Sequence, residues 1–260
     1  MTILLTNGAV FLHIPKTGGI YIHAVLDALG LVKAPLGHEH ADFDRAFWND
    51  RYHCDAKVLR HILRRAAGFR RAPATMAPDA FRFCFVREPL KWYESYWRYM
   101  QSLNWREWGD ELDPCRWHPN AMLNGLGSSD FNEFIYNVNR KRPGYVTELF
   151  SWYVRPGVQF VGKQENLISD LRRVLASMKV DVDVNFLRQL PHVNAVASNI
   201  PTPEWDPVLR EKTLRLEYAA YVRYGYAVSE EQDDKISYFP GLPYTNGHAR
   251  HTGVDAISKR

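Results

Sequence analysis

The stretch VFLHIPKTGGIY, residues 10–21, passes from an apolar strand pattern through Lys-Thr-Gly-Gly into a helical pattern. Residues 10–14 predict a short buried strand, which Pro15 ends. The apolar positions that follow recur at helical spacing and stop before Gly30, a natural helix C-cap: Ile22, Val25, Leu26 and Leu29. A short strand that leads directly into a helix predicts an α/β fold with a parallel sheet.

The turn between this strand and helix has the features of a phosphate cradle. Gly18 and Gly19 leave backbone N–H groups uncovered at a helix N-terminus, where the peptide dipoles favour an anion. Lys16 adds a full positive charge. A Walker A loop would have its glycines before the lysine and a hydroxyl to hold magnesium, whereas here the glycines follow the lysine and Ile20 has no hydroxyl. We therefore expect an anion site without a metal ligand; the alternative is a plain glycine-rich turn.

A second segment, FRFCFVREPLKWYESYW at residues 81–97, repeats this order of strand, charge, proline and helix. Arg87 follows the predicted strand, Pro89 suits the first turn of the helix, and Ser95 lies two turns further on. An arginine fork with a serine hydroxyl suits a phosphate dianion. Ligands of α/β folds bind at the carboxyl ends of strands, so we expect the two segments to form one site. Taken alone, Arg87 is equally compatible with a surface ion pair.

At this point the chain resembles a known family. HIPKTGG at residues 13–19, with the R-x-P-x5-S pattern from Arg87 to Ser95, is similar to the paired signatures of sulfotransferases that use 3'-phosphoadenosine 5'-phosphosulfate (PAPS), on the branch that includes carbohydrate sulfotransferases. The similarity extends to VGKQENLISDLRRVL at 161–175, LPHVNAVAS at 190–198 and LEYAAYVRYGY at 216–226, and it covers most of residues 9–226. The resemblance implies a P-loop-like three-layer fold, with a central parallel sheet flanked by helices.

The resemblance also implies roles for residues of both motifs. The first motif would bind the 5'-phosphosulfate through Lys16, Thr17, Gly18 and Gly19, and the second would bind the 3'-phosphate. The full set of implied cofactor residues is Pro15, Lys16, Thr17, Gly18, Gly19, Ile20, Tyr21, Arg87 and Ser95.

Two features depart from the family pattern. Glu88 stands where the family commonly has aspartate, a difference expected to matter little. The family usually has a hydroxyl pair after the second glycine, where this chain has Ile20 and Tyr21. The loss of one hydrogen bond to a charged group costs about 1.5–3 kcal/mol. Either Thr17, Tyr21 or a backbone N–H replaces that bond, or the cofactor binds more weakly.

The implied reaction is in-line transfer of a sulfuryl group to an acceptor hydroxyl or amine, with a carbohydrate or glycolipid as a candidate acceptor. It would release adenosine 3',5'-bisphosphate. Lys16 is the candidate that stabilises the charge growing on the oxygen between phosphorus and sulfur.

A general base must also take the proton of the acceptor. The segment GHEHADFD at residues 37–44 offers His40, then His38, then Glu39, in that order of preference. If this segment is extended, the two histidines point to the same side. A metal site or a solvated loop is the alternative for this segment, but its spacing is not that of a zinc protease. His13 is expected to be a buried structural residue, and His23 is not a convincing base.

The specificity of the enzyme is expected to come from an aromatic segment at about residues 101–130. Trp105, Trp108 and Trp117 lie in an irregular stretch and are candidates for contact with the acceptor. Three preceding aromatic residues and a methionine have helical spacing and are expected in the core: Tyr93, Tyr96, Trp97 and Met100.

The global properties are those of a single globular enzyme. The 260 residues, 46% of them hydrophobic, suffice for one sizeable core, which we assign to residues 1–226, with 227–260 as a polar extension or lid. Cys84 is expected in that core. A net charge of +4 suits an anionic cofactor and is too small to indicate nucleic-acid binding.

The sequence contains no apolar run of membrane length and no cationic leader at its start. The expectation is a cytoplasmic enzyme of bacterial or viral origin that acts on a small-molecule or saccharide acceptor. Two other function classes remain open: a nucleotide-dependent phosphotransferase, which would need metal-holding groups at the loop, and a non-catalytic nucleotide-binding module.

Overall fold

Five strands form one sheet in the part of the chain that this computed structural model describes, namely residues 1–48, 76–109, 117–190 and 200–226. In chain order they are β1 (Ile3–Leu5), β2 (Val10–Leu12), β3 (Val32–Pro35), β4 (Arg82–Val86) and β5 (Phe160–Lys163). Their order across the sheet is β3-β1-β2-β4-β5. The predicted extension or lid at 227–260, and most of the LPHVNAVAS segment, lie outside the described residues.

The prediction of an α/β fold with a central sheet flanked by helices is confirmed, but the sheet is mixed rather than purely parallel. β2, β4 and β5 are parallel neighbours, whereas β1 runs antiparallel to both β2 and β3. The reason is the short turn between β1 and β2, in which the Leu5 amide donates to the Ala9 carbonyl at 2.8 Å. A connection of this length permits a hairpin but no crossover to a parallel strand.

Helices cover the sheet. Those in the described ranges are α1 (Gly19–Ala28), α2 (Phe43–Trp48), α3 (Pro89–Ser102), α4 (Phe131–Lys141), α5 (Tyr145–Tyr153), α6 (Leu167–Ser177), α7 (Val184–Gln189), α8 (Pro207–Leu216) and α9 (Tyr218–Tyr224). Short 3₁₀ turns span Pro119–Leu123 and Gln164–Asn166. None of these helices combines the length and apolar character that would be needed to cross a membrane.

The predicted helix boundaries agree with the structure at both motifs. α1 ends before Gly30, which has φ +65°, and the Leu31 amide closes the helix on the Leu26 carbonyl at 2.9 Å. α3 begins at Pro89, and the Glu88 carboxylate accepts from the Lys91 amide at 2.6 Å.

Two hydrophobic cores lie on opposite faces of the sheet, because side chains alternate along each strand. In β4, Phe83 and Phe85 face the core shared with α1, α6 and α7, while Cys84 and Val86 face the core shared with α3, α4, α5 and α9. The prediction that Cys84 is a core residue is confirmed. So is the prediction for the three aromatic residues and the methionine of α3, which are all at most 8% exposed: Tyr93, Tyr96, Trp97 and Met100.

A buried carboxylate holds the start of α5. Glu217 is fully buried, and its two oxygens accept from the amides of Val146 and Thr147 at 3.0 and 2.7 Å and from the Tyr93 hydroxyl at 2.7 Å. A carboxylate is favoured there because the helix N-terminus carries a partial positive charge. Glu217 thereby ties α5 to α3, the helix that carries the second motif.

Candidate active site

A cavity of about 360 Å³ opens where β2 and β4 end. Most of the residues predicted to hold a cofactor lie on its wall: Pro15, Lys16, Gly18, Gly19, Ile20, Tyr21, Arg87 and Ser95. Of the three candidate bases, His40 and Glu39 are on the wall. The volume lies in the range of small-molecule sites, about 300–1,000 Å³. The two motifs thus line a single cavity.

The loop from Pro15 to Gly18 is held in a conformation that favours an anion. Lys16 and Gly18 both have left-handed backbones, with φ +66° and +86°. Such a conformation is uncommon for lysine, and strained backbone of this kind clusters at functional sites. α1 begins without a side-chain cap, and no described residue accepts a hydrogen bond from the amides of Gly19 or Ile20. These amides and the helix dipole provide a positive end at the cavity wall.

The loop is anchored from three sides. The Thr17 hydroxyl donates to the Ile14 carbonyl at 2.9 Å, inside the loop. From α3, the Trp92 indole N–H donates to the Pro15 carbonyl at 2.8 Å. The Arg87 guanidinium, just before α3, donates to the Lys16 carbonyl at 3.3 Å. The second motif therefore holds the first in position, and Trp92 was not identified in this role from the sequence.

Gly19 is required by the close approach of His13. A Cβ added at Gly19 would lie 1.9 Å from Cδ2 and 2.0 Å from Nε2 of the His13 ring. Only glycine permits this contact without a shift of the ring or of α1. His13 is buried, as predicted, although its ring also forms part of the cavity wall.

Lys16 is a buried lysine with an unusually low pKa. Burial, and secondly the neighbouring Arg87, lower the pKa of Lys16 to about 7. Its ammonium lies 3.8 Å from the centre of the Tyr99 ring, a cation–π contact. Among the described residues no carboxylate forms an ion pair with Lys16 or with Arg87. Two cationic side chains in one cavity, neither with an ion-pair partner among the described residues, favour an anion there.

Arg87 retains an unused hydrogen-bond donor. Its Nε is buried and has no partner among the described residues. Burial lowers the pKa of Arg87, while Glu165 and Glu94 act to raise it. Glu165 itself accepts from the Glu88 amide at 2.8 Å, which holds this carboxylate at the start of α3. An unsatisfied buried donor is costly, so an anion bound here would relieve that cost.

His40 is fixed in one orientation. Its Nδ1 lies 3.0 Å from the carbonyl oxygen of His13, and the Tyr153 hydroxyl of α5 donates to the His40 carbonyl at 2.5 Å. Because a carbonyl only accepts, the Nδ1 must carry the proton, and Nε2 of the neutral ring holds the lone pair. Burial lowers the pKa of His40 to about 4 despite the opposing effect of that hydrogen bond. His40 is therefore a neutral imidazole with a basic nitrogen available at the cavity.

Several predicted residues lie off the cavity wall or have their side chains engaged elsewhere. Neither the Thr17 nor the His38 side chain is on the cavity wall, and residues 37–40 form a bend and a turn rather than the extended strand that would align His38 with His40. Ile20 is 41% exposed, and the Tyr21 hydroxyl donates to the Leu187 carbonyl. The hydroxyls proposed to replace the missing family pair are thus engaged elsewhere, which leaves the backbone amides.

The three candidate tryptophans have different positions. Trp108 lies on the cavity wall, whereas Trp105 packs against Gly127 beside a separate cavity of about 170 Å³. Trp117 is buried against Arg45 and Trp152. Only Trp108 therefore lies where an acceptor in the main cavity would contact it.

Sequence reasoning missed other wall residues. They are His118, Asn120, Tyr99 and Gln164. His118 stacks on Trp108 with a ring separation of 4.3 Å and meets His40 edge-on at 5.2 Å. No motif marks His118, which lies far from His40 in the chain; the flanking Pro119 and the 3₁₀ turn were the only local signals of a fixed position.

No group of histidine, cysteine, aspartate or glutamate side chains within residues 1–48, 76–109, 117–190 and 200–226 is arranged to hold a metal ion. Comparisons of the chain with protein-family models, with curated proteins and with solved structures gave no match.

Proposed function

We propose that the protein is a PAPS-dependent sulfotransferase that transfers a sulfuryl group to an acceptor hydroxyl. The observation that carries the proposal is one cavity lined by Lys16 and Arg87, neither with an ion-pair partner among the described residues, and by a neutral His40 whose Nδ1 is committed to a carbonyl. The anchored turn after β2 acts as a P-loop-like cradle in which the glycines follow the lysine. This arrangement supplies cationic groups for an anionic donor and a base for an acceptor.

The residues present fit PAPS at two points. The amides of Gly19 and Ile20, with Lys16, suit the 5' end, because a helix N-terminus and an ammonium both favour an anion. The unpartnered Nε of Arg87, with the Ser95 hydroxyl on the same wall, suits the 3'-phosphate. The backbone replaces the hydroxyl pair of the family pattern.

When bound, PAPS supplies an activated sulfuryl group whose leaving group is adenosine 3',5'-bisphosphate. Lys16 stabilises the negative charge that develops on the leaving oxygen, as a preorganised cation in a water-poor site. Arg87 and Ser95 fix the position of the nucleotide. His40 accepts the proton of the acceptor hydroxyl at Nε2. The acceptor, a small molecule or saccharide, would lie against the face of the cavity that includes Trp108 and Tyr99.

The proposal is tested by calorimetric titration with adenosine 3',5'-bisphosphate and, separately, with ADP, in the presence of EDTA. We expect the bisphosphate to bind well and ADP weakly, because only the bisphosphate has a phosphate for Arg87 and Ser95. The Arg87→Ala variant should lose most of the affinity for the bisphosphate, whereas the weak binding of ADP should change far less, because ADP has no 3'-phosphate for Arg87 to bind. Arg173→Ala is the matched control, because that side chain is 72% exposed on α6.

Failure of the wild type to bind the bisphosphate would refute the proposal. So would full retention of bisphosphate affinity in Arg87→Ala. Binding of ADP that requires added magnesium would instead favour the phosphotransferase.

A further inference from the structure

Two neighbouring imidazole rings line the cavity. His40 and His118 both lie on the cavity wall, with ring centres 5.2 Å apart and planes at 88°. Each ring has its Nδ1 engaged by the backbone: His40 with the His13 carbonyl at 3.0 Å, His118 with the Asn120 amide at 3.1 Å. No described residue forms a hydrogen bond with Nε2 of either ring, so both Nε2 atoms are left for a ligand.

The two Nε2 atoms have opposite hydrogen-bonding character. In His40 the partner of Nδ1 is a carbonyl, so Nδ1 carries the proton and Nε2 accepts. In His118 the partner of Nδ1 is an N–H group, so Nδ1 accepts and Nε2 carries the proton. One acceptor and one donor therefore stand side by side at the cavity wall.

Both rings are held neutral and in place. Burial is the main cause that lowers the pKa of each ring, and the charged form of His40 further lowers the pKa of His118. Trp108 stacks on His118 with an interplanar angle of 7°, and its own indole N–H donates to the Tyr96 hydroxyl at 3.2 Å. His118 therefore cannot rotate without disrupting both the aromatic stack and the start of the 3₁₀ turn.

We propose that His40 and His118 form a two-point site for the acceptor oxygen, in which the hydroxyl donates to His40 Nε2 and accepts from His118 Nε2–H. This inference rests on the proposed sulfotransferase function and assigns His118 as a second residue that contacts the acceptor. The site selects an alcohol over a protonated amine, because an ammonium group has no lone pair to accept from His118. The nearby Lys16 and Arg87 also repel an ammonium group.

The transfer step is balanced with these groups. A new bond forms between the acceptor oxygen and sulfur, and the bond from sulfur to the bridging oxygen breaks. The electron pair of the broken bond goes to the phosphate oxygen of the nucleotide, beside Lys16. The proton of the hydroxyl goes to His40 Nε2. His118 keeps its proton throughout and orients the lone pair of the acceptor oxygen toward sulfur.

The test uses two substitutions of His118 that separate its two nitrogens. His118→Asn keeps an acceptor for the Asn120 amide, since asparagine is a good cap, but it has no group at the position of Nε2. His118→Gln provides an amide N–H that reaches the position of Nε2. Two reactions are followed with PAPS. The first is the release of inorganic sulfate with water as the acceptor. The second is transfer to two pairs of acceptors, benzyl alcohol with benzylamine, and methyl glucoside with the matching methyl glycoside of glucosamine.

We expect His118→Asn to lower the transfer rate, and kcat/KM for the alcohol, by about tenfold, the effect of one lost hydrogen bond. His118→Gln should recover most of that loss, and each alcohol should react faster than its paired amine. Bisphosphate affinity, measured by calorimetry on the same samples, should be unchanged in both variants.

The inference is overturned if His118→Asn equals the wild type, if both variants are impaired alike, or if the amines react faster. It is also overturned if the wild type binds the bisphosphate but transfers to neither water nor any acceptor. In these cases, retained binding of the bisphosphate would show that the nucleotide site is correct and that only the inference about His118 fails. Loss of bisphosphate binding in the wild type itself identifies failure of the proposed function, and with it of this inference.

Discussion

Lys16 carries its ammonium over the face of Tyr99, with Arg87 nearby and no described carboxylate in ion-pair contact. Such a lysine loses its charge far more readily than an exposed one, since burial and a like charge both disfavour the protonated form. Its pKa of about 7 in the ligand-free protein makes nucleotide binding sensitive to pH.

The first prediction concerns this sensitivity. A bound dianion favours the charged form of Lys16 and raises its pKa. At pH values where the phosphate of adenosine 3',5'-bisphosphate is a dianion, the affinity should therefore be highest below pH 7. It should fall above pH 7 by up to about tenfold per pH unit. Calorimetry between pH 6.5 and 9 measures this slope, with these pH values chosen around a pKa of about 7.

Lys16→Arg should abolish the decline, because arginine stays charged throughout this range. Lys179→Arg is the matched control: Lys179 shares the left-handed backbone of Lys16, with φ +61°, but is exposed. A slope that persists in Lys16→Arg would show that another group causes it. In turnover assays, Lys16→Ala should remove most of the activity.

The second prediction separates the two histidines of the GHEH segment. His40→Ala should lower kcat by about 10²–10⁴, the usual contribution of a general base, with bisphosphate affinity nearly intact. His38→Ala should retain activity, because its side chain is not on the cavity wall. In the wild type, kcat/KM should fall on the acid side as His40 becomes protonated, around its pKa of about 4. Equal activity of wild type and His40→Ala would make Glu39 the next candidate.

Among the secondary-structure elements, α1 depends on the packing of its first residue against the preceding strand segment. Gly19 and His13 are in contact because β2 delivers His13 directly beneath the start of α1. The helix N-terminus can therefore approach the cavity only while residue 19 lacks a side chain.

The third prediction follows from this contact. Gly19→Ala should lower the free energy of unfolding by about 1–3 kcal/mol through overpacking, and it should weaken bisphosphate binding by displacing the α1 amides. Urea denaturation and calorimetry measure the two effects. Gly30→Asn is the control at the other end of α1, because nothing lies within 4 Å of a Cβ there and asparagine tolerates its φ of +65°. Unchanged binding in Gly19→Ala would contradict this view of the cradle.

For the molecule as a whole, the cavity places three histidines in a low-dielectric interior. Burial is the first cause that lowers the pKa of His13, His40 and His118. The unfolded chain takes up protons on these rings near the ordinary pKa of 6.5, whereas the folded protein resists them. The contribution of these three rings to the free energy of unfolding is therefore fully present above pH 6.5. It is lost as the pH falls toward the lower pKa values of the folded state.

The fourth prediction is that the free energy of unfolding falls between pH 7 and pH 5. The share of His40 alone is about 2 kcal/mol, from its shift to a pKa of about 4. Urea denaturation of wild type and His40→Gln at both pH values isolates this share as the difference between their slopes. Buried carboxylates such as Glu217 titrate in both proteins and cancel. Identical slopes would show that His40 is protonated without cost in the folded state.

The local features of both motifs were predictable from the residues themselves. The end of α1 at Gly30, the start of α3 at Pro89 and the turn at Gly18 and Gly19 follow from backbone rules that act over a few neighbouring residues. The strand that precedes each helix follows from the same short-range pattern. So does the expectation that both motifs face one site, since the carboxyl ends of neighbouring parallel strands share an edge.

Long-range packing decided the strand direction and the side-chain partners that no local pattern predicts. The antiparallel direction of β1 depended on a hairpin whose hydrogen bonds the apolar pattern does not encode. His118 lies beside His40 and stacks on Trp108, although His40 and His118 are far apart in the chain. The Tyr21 hydroxyl is committed to a carbonyl of α7 that only folding brings near. Side-chain partners of this kind are chosen by the free energy of the whole packed interior, whereas helix ends and turns are chosen by the few residues that form them.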